Sequence, residues 1–206
     1  MEKSDRNGWL VAIEGIDAAG KRTQSLLLSS WLKHTQVNCK VMSFPDYTTR
    51  IGREIRAFLT GNRNYPKELK HILFAANRWE KEEAIRNILS TSGVLVVNRY
   101  TESNWAYGLA NGLELDWLIN LERGLPRTDL VILLDAPPIA VRSRRQRSQD
   151  TYEADITLQE EASSAYRRLA RKFGWKVVNA TDDVKQIHQH IRAIVSKKLS
   201  LEFRQD

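Results

Sequence analysis

The stretch EGIDAAGKRTQ, residues 14–24, decides the fold. It sets Gly15, Gly20 and Lys21 in the spacing G-x-x-x-x-G-K of a phosphate-binding loop, but the next position, Ser or Thr in that pattern, is Arg22. The apolar run before it, WLVAIEG (9–15), reads as a strand, and KRTQSLLLSSWLK (21–33) reads as a helix with Leu27, Leu28, Trp31 and Leu32 inward. A glycine-rich turn from strand to helix aims several backbone N–H groups at one point, where the helix dipole also favours negative charge. The loop residues Gly15, Ala18, Ala19, Gly20, Lys21, Arg22 and Thr23 are thus a candidate cradle for ATP, with the Lys21 ammonium reaching the outer phosphates. Arg22 has two readings. Its side chain projects into solvent while Thr23 or water fills the hydroxyl's role, or its guanidinium neutralises phosphate charge in place of some metal contacts, which is the preferred expectation.

Outward from the loop, short apolar runs alternate with longer amphipathic segments, the pattern of a parallel sheet covered by helices on both faces. Further strands are expected at 38–44, 93–98, 129–135 and 175–180. The fold class is therefore α/β, a P-loop NTPase-type three-layer α/β/α arrangement with a five-stranded parallel sheet and a short lid. Leu158, Ala162, Ala165, Tyr166, Leu169 and Phe173 share one helix face, as do Val184, Ile187, Ile191, Ile194 and Val195. Segment 66–90 reads as one long helix that begins at Pro66 and stops near a left-handed Gly93. Pro137 and Pro138 open the helix after the fourth strand. With 206 residues, no repeats and no linker, one domain over 1–206 is expected, with 1–8 a frayed tail and 142–155 the lid.

The net charge of +7 suits nucleic acid, a membrane surface or a small polyanion. The densest basic run, VRSRRQRS (141–148), carries Arg142, Arg144, Arg145 and Arg147 and reads either as a solvated helix face or as charge for a phosphate. No basic groove with stacking aromatics is evident, so nucleic acid is not an expected partner. One cysteine, Cys39, excludes an intramolecular disulfide framework and fits a reducing compartment. The first residues lack the apolar run of a signal peptide and no stretch reaches a membrane-spanning length, so a cytoplasmic protein without a membrane partner is expected.

Read together with FPDYTTRIG (44–52), LFAANRWE (73–80), NRYTESNWAYG (98–108) and TDLVILLDAPP (128–138), the loop makes nearly the whole chain resemble the thymidylate kinases. The resemblance implies transfer of the γ-phosphoryl of ATP to dTMP, Mg²⁺ as cofactor and a homodimer, with 66–90 and 101–123 as the candidate dimer face. It places Phe74 on the thymine ring and Arg78 on a base carbonyl, and the spacing of four puts both on one helix face. It places Asp17 on the sugar 3′-hydroxyl and Arg99 on the acceptor phosphate. Phe44, Tyr47, Ser103, Tyr107 and Tyr152 complete the expected acceptor site, with Tyr107 under the deoxyribose and Tyr152 over the base. On the donor side it lays Arg144 against adenine and edges the same ring with NATD (179–182), through Ala180. Some relatives carry a catalytic arginine directly after the loop aspartate, where this chain has Ala18. Others place it in the lid, so Arg145 and Arg147 join Lys21, Arg22 and Arg99 as the expected catalytic charges. Trp79 and Glu80 are expected to stabilise helix packing.

The chain departs from the family pattern at Arg22, at Asn98 in place of the aspartate of DR[YH], and at Tyr47 in place of an arginine. An asparagine oxygen still accepts from a metal-bound water but adds no charge. Mg²⁺ is therefore expected on ATP oxygens and water, with Asn98 reached through water. A catalytically silent homologue and a kinase of dUMP or UMP are the alternative readings.

Overall fold

A computed structural model describes residues 7–91, 93–142 and 151–200 of the chain. The elements run β1 (Trp9–Glu14), α1 (Lys21–His34), β2 (Cys39–Ser43), α2 (Arg50–Leu59), α3 (Lys67–Trp79), α4 (Glu82–Ser90), β3 (Val94–Asn98), α5 (Thr101–Ala110) and α6 (Leu115–Leu121). They continue with β4 (Leu130–Asp135), α7 (Pro138–Arg142), α8 (Thr151–Ala154), α9 (Ile156–Phe173), β5 (Lys176–Asn179) and α10 (Val184–Leu199). All five expected strands form, each within about a residue of its expected bounds.

The strands pair in parallel in the order β2-β3-β1-β4-β5. Because helices cover both faces, the central strands are apolar throughout rather than alternating, and Leu10 to Ile13 and Leu95 to Val97 have no exposed surface. The period of two divides them between two cores. Val11, Ile13, Val94 and Val96 pack with Leu28, Leu32, Ala162, Tyr166 and Ile191. Leu10, Ala12, Leu95 and Val97 pack with Ile85, Leu89 and Tyr100 on the opposite face. From β1 the chain leaves towards β2, and from β3 it leaves towards β4 on the other side. The carboxyl ends of these neighbouring strands therefore open a crevice at the switch point, where open α/β sheets place their ligands.

Segment 66–90 is two helices, not one. At Glu80 and Lys81 the backbone leaves the helical register: the Lys81 N–H donates to Arg78 O rather than four residues back. The Lys81 ammonium pairs with Asp46 at 2.8 Å, which ties this turn residue to the site, while the Glu80 carboxylate accepts from Asn77 of α3 at 3.1 Å. Gly93 is not left-handed. It is small because a Cβ there would stand 2.6 Å from Asn38 O. Two residues assigned to buried helix faces lie at helix ends and are exposed, Phe173 at 42% and Val184 at 52%. The tail 1–6 and residues 143–150 of the lid lie outside the described residues.

Candidate active site

The phosphate loop is shaped by its backbone. Gly15 has φ 142°, Ala18 φ 61° and Gly20 φ 93°, all in the region that disfavours a side chain. Gly15 is also required by close approach, since a Cβ there would stand 2.6 Å from Leu134 O. Gly20 is the N-cap of α1, whose first free N–H groups therefore face the loop. The Lys21 ammonium curls over the turn and donates to Ile16 O at 2.6 Å. Arg22 and Thr23, in the first turn of α1, are exposed and line the same cavity.

That cavity, of about 960 Å³, runs from loop residues 17–24 to a wall of side chains from α3, α5 and α8. Phe74 and Arg78 both line it, on one face of α3 as their spacing requires. Phe74 meets Phe58 edge-on at 5.5 Å and Tyr152 at 6.2 Å, while Tyr152 stacks on Tyr107 at 6.0 Å. Phe44 and Tyr47 line the cavity too, and Arg56 stands over the Tyr47 ring at 4.6 Å. Their segment is stapled to α3 by the buried Asn77, whose Oδ1 accepts from Asp46 N–H at 2.7 Å and whose Nδ2 donates to Thr49 Oγ1 at 2.9 Å. Gly52 makes that approach possible, because a Cβ there would meet Asp46 O at 1.8 Å.

At the centre, Arg99 pairs with Asp17 and lies 5.3 Å over the Tyr107 ring. Arg99 holds this place with φ 63°, a strained conformation for a side-chain-bearing residue. Asp17 Oδ2 accepts from Tyr107 OH at 3.0 Å and from Gln159 Nε2 at 2.9 Å. Burial works against its charge, but Arg99, Lys21 and these hydrogen bonds outweigh it and hold the carboxyl well below the usual range. Asp17 is therefore an acceptor-only group beside a cation, suited to receive a hydroxyl and to orient an arginine towards an anion.

The family model for thymidylate kinase matches residues 13–191. A thymidylate kinase from Schizosaccharomyces pombe is 34% identical over 201 residues, covering 95% of this chain and 95% of that protein. The thymidylate kinase of Homo sapiens is 33% identical over 192 residues, covering 92% and 90%. Among solved structures, a thymidylate kinase from Candida albicans superposes with a TM-score of 0.85 at 27% identity, covering 97% of this chain and 96% of that one. The chain belongs to the thymidylate kinase family.

Within this family member, several expected residues have partners that the local sequence did not reveal. Arg78 is 3% exposed and its guanidinium is paired with the buried Glu122, Nε to Oε1 at 2.5 Å. Ser103 reaches the cavity wall, but its hydroxyl donates to the buried Glu14 at 2.5 Å, and Glu14 also accepts from Tyr166 OH at 3.0 Å and from Tyr100 N–H at 2.6 Å. Gln159 joins three elements: it donates to Asp17 and to Tyr152 O, both at 2.9 Å, and accepts from Asp17 N–H at 3.2 Å. Asn104 lines the cavity with its amide fixed by the buried His71. Ala180 has its side chain fully buried, while Asp182 of the same NATD segment lines the cavity with Asp183 and Val184 beside it. Trp79 donates to Leu121 O at 3.0 Å, in keeping with a packing role. Arg144, Arg145 and Arg147 lie outside the described residues.

One described residue, Asn98, offers an oxygen that fits a metal reached through water. Among the described residues no three His, Cys, Asp or Glu side chains gather as a metal site. Asn98 lines the cavity at the end of β3, donates weakly to Ser43 Oγ at 3.4 Å, and has a buried Oδ1 with no hydrogen-bond partner among the described residues. Such an oxygen is an acceptor for a metal-bound water.

Proposed function

We propose that this chain phosphorylates dTMP to dTDP with ATP. The observation that carries the reading is that one cavity has the phosphate loop at one end and the Phe74, Arg78 and Tyr107 wall at the other. ATP lies with its phosphates on the N–H groups of the loop and Lys21, and dTMP lies with its base on Phe74 and Arg78 and its sugar over Tyr107. Asp17 accepts the 3′-hydroxyl, while Arg99 turns its charge to the acceptor phosphate. Tyr107 packed under the sugar disfavours a 2′-hydroxyl and so favours a deoxyribonucleotide over UMP.

An oxygen of the dTMP phosphate forms the new bond to the γ-phosphorus as the bond from that phosphorus to the bridging oxygen of ADP breaks. The nucleophile is already an anion, so no general base is needed and catalysis is alignment and charge stabilisation. Lys21, Arg22, Arg99 and the lid arginines Arg145 and Arg147 supply that charge, and Arg144 packs on adenine. Asn98 would accept from a water of a Mg²⁺ brought in with ATP, and that ion would supply positive charge to the phosphates. Lid closure over 142–155 excludes water and suppresses ATP hydrolysis.

The exposed Leu69, Ile72 and Trp79 of α3 support a homodimer through this helix, and a single domain over 1–206 working in the cytoplasm completes the reading. No helix among the described residues is long and apolar enough to cross a membrane. The test is a steady-state assay with ATP and dTMP across Mg²⁺ concentrations, with dUMP and UMP as competitors. ADP formation that requires Mg²⁺ and prefers dTMP is expected. Absence of ADP above background, despite thermal stabilisation by dTMP, overturns the catalytic reading.

A further inference from the structure

The cavity is also lined by Gln24 of α1 and, where the chain passes from β5 to α10, by Asp182, Asp183 and Val184. Strand β5 stands at the edge of the sheet opposite β2, whose carboxyl end leads to Phe44 and Tyr47 of the acceptor site, so these residues border the donor side of the phosphate loop. Gln24 is 1% exposed. Its Nε2 donates to Val184 O at 3.0 Å, and its buried Oε1 has no hydrogen-bond partner among the described residues. Asp183 is used as the N-cap of α10, where Oδ1 accepts from Lys185 N–H at 2.8 Å and Gln186 N–H at 2.9 Å.

Asp182 is held differently. Asn179 Oδ1 accepts from Thr181 N–H at 3.1 Å and from Thr181 Oγ1 at 2.8 Å, which turns Asn179 Nδ2 towards Asp182 Oδ1, where it donates at 2.7 Å. The carboxylate is thereby fixed through one oxygen and keeps the other, Oδ2, for a ligand. A buried amide oxygen and an ionised carboxylate are both acceptors, and they suit a base that brings donors. The loop and Lys21 grip a triphosphate that is the same in ATP and GTP, so the base end has to tell the two apart. Along its N1 edge adenine offers one donor, the 6-amino group, beside an N1 lone pair that a second carboxylate oxygen repels. Guanine offers N1–H and the 2-amino group side by side, at the spacing of the two oxygens of one carboxylate.

We propose that Asp182 reads the N1–H and 2-amino edge of guanine, so that GTP serves beside ATP as a phosphoryl donor. The proposal rests on the phosphoryl-transfer reading above and adds a second donor to it. An oxygen of the dTMP phosphate bonds to the γ-phosphorus as that phosphorus parts from the bridging oxygen, which leaves with its electron pair on GDP. The products are dTDP and GDP.

The test is calorimetry of ADP, GDP, IDP and XDP on the intact protein, beside dTDP formation from ATP and from GTP. Wild type is expected to bind GDP within about tenfold of ADP, and IDP, which lacks the 2-amino group, about fivefold more weakly than GDP. In Asp182→Asn the amide oxygen must face Asn179 Nδ2, so an NH₂ group replaces the free Oδ2. That group opposes the guanine 2-amino group and donates to the 2-oxo group of xanthine. The variant is therefore expected to shift the ratio of the XDP to the GDP dissociation constant about tenfold in favour of XDP, a reversal of preference that a merely structural role does not produce. GDP bound more than about tenfold more weakly than ADP, IDP bound as tightly as GDP, or an XDP to GDP ratio unchanged in the variant overturns the proposal. A protein that makes dTDP from neither triphosphate fails the catalytic reading, and the diphosphate ratios still decide whether Asp182 reads guanine.

Discussion

The phosphate loop and the acceptor wall face each other across one cavity, but different parts of the chain build them. The loop is backbone: three residues at positive φ, N–H groups at a helix start, and two side chains, Arg22 and Thr23, left exposed. The wall is side chain on side chain, with Arg78 on Glu122, Arg99 on Asp17, Asp17 on Gln159, and Asn104 on His71. A phosphate is nearly the same anion from every side, so a nest of amides suffices for it. A base and a sugar have distinct edges, so the groups that read them must be held in fixed orientations. Side-chain replacements should therefore cost most in the wall and least at the loop's exposed positions, Arg22 and Thr23.

The largest effect is expected at Glu122. Both Glu122 and Arg78 are almost wholly buried, and truncating one partner leaves the other charge unpaired in the interior. Glu122→Leu should lose about 3–5 kcal/mol of stability in urea denaturation. Arg78→Met combined with Glu122→Leu removes both charges and should recover most of that loss while dTMP affinity stays poor. Recovery of affinity together with stability would show that Arg78 serves only the fold. Next comes Asp17→Asn, which keeps the shape but weakens the hold on Arg99. Its kcat/KM for dTMP should fall on the order of 100-fold, with the KM for ATP little changed. An equal rise in the KM for ATP would place Asp17 in the loop's function instead.

The same contrast explains what could be read along the chain. Strands and the loop announce themselves through neighbours: apolar runs, a glycine spacing, a strand before and a helix after. Phe74 and Arg78 were legible through the resemblance of LFAANRWE to the family pattern, and helical spacing added only that both share one face. Glu122 and Gln159 carried no such signal, since their partners stand 44 and 142 residues away and neither belongs to a local pattern. Asn77 and Lys81 escaped for a related reason. Apolar periodicity runs through 66–90, and only the folded position of Asp46 reveals why the helix breaks there. Phe173 and Val184 sit in the right phase but at helix ends, where a face is only partly covered: Phe173 packs on Trp105 and Trp175 yet stays 42% exposed.

Behind the wall, Glu102 offers a smaller effect with a definite sign. It is buried, accepts from Thr128 at 2.6 Å, and is pushed up to about 7, first by burial and then by the charge of Glu14. A carboxyl raised above its unfolded value contributes stability that is fully present below that value and is lost as pH rises through the folded one. Wild type should therefore lose about 1–2 kcal/mol relative to Glu102→Gln between pH 5 and 8. The difference must be taken against that variant. The buried His71, lowered to about 4 chiefly by burial, acts with the opposite sign below its unfolded value in both proteins. Parallel pH profiles would mean that Glu102 stays charged in the fold.

The smallest effect is expected where the family pattern looks most disturbed. Arg22 is exposed, so any charge it lends to the phosphates is screened by solvent and should amount to less than about 1 kcal/mol. Arg22→Ser brings back the hydroxyl of the common loop pattern. If the guanidinium stands in for part of the metal's role, that variant should bind Mg²⁺ a few-fold more tightly in ATP turnover, with kcat at saturating Mg²⁺ within about threefold of wild type. Raising ionic strength should narrow the difference, because the arginine's share is electrostatic and the hydroxyl's is not. An unchanged Mg²⁺ titration would leave Arg22 a solvent-facing bystander and pass the hydroxyl's part to Thr23 or water. The backbone of the loop would then carry its phosphates with no help from the one residue that breaks its pattern.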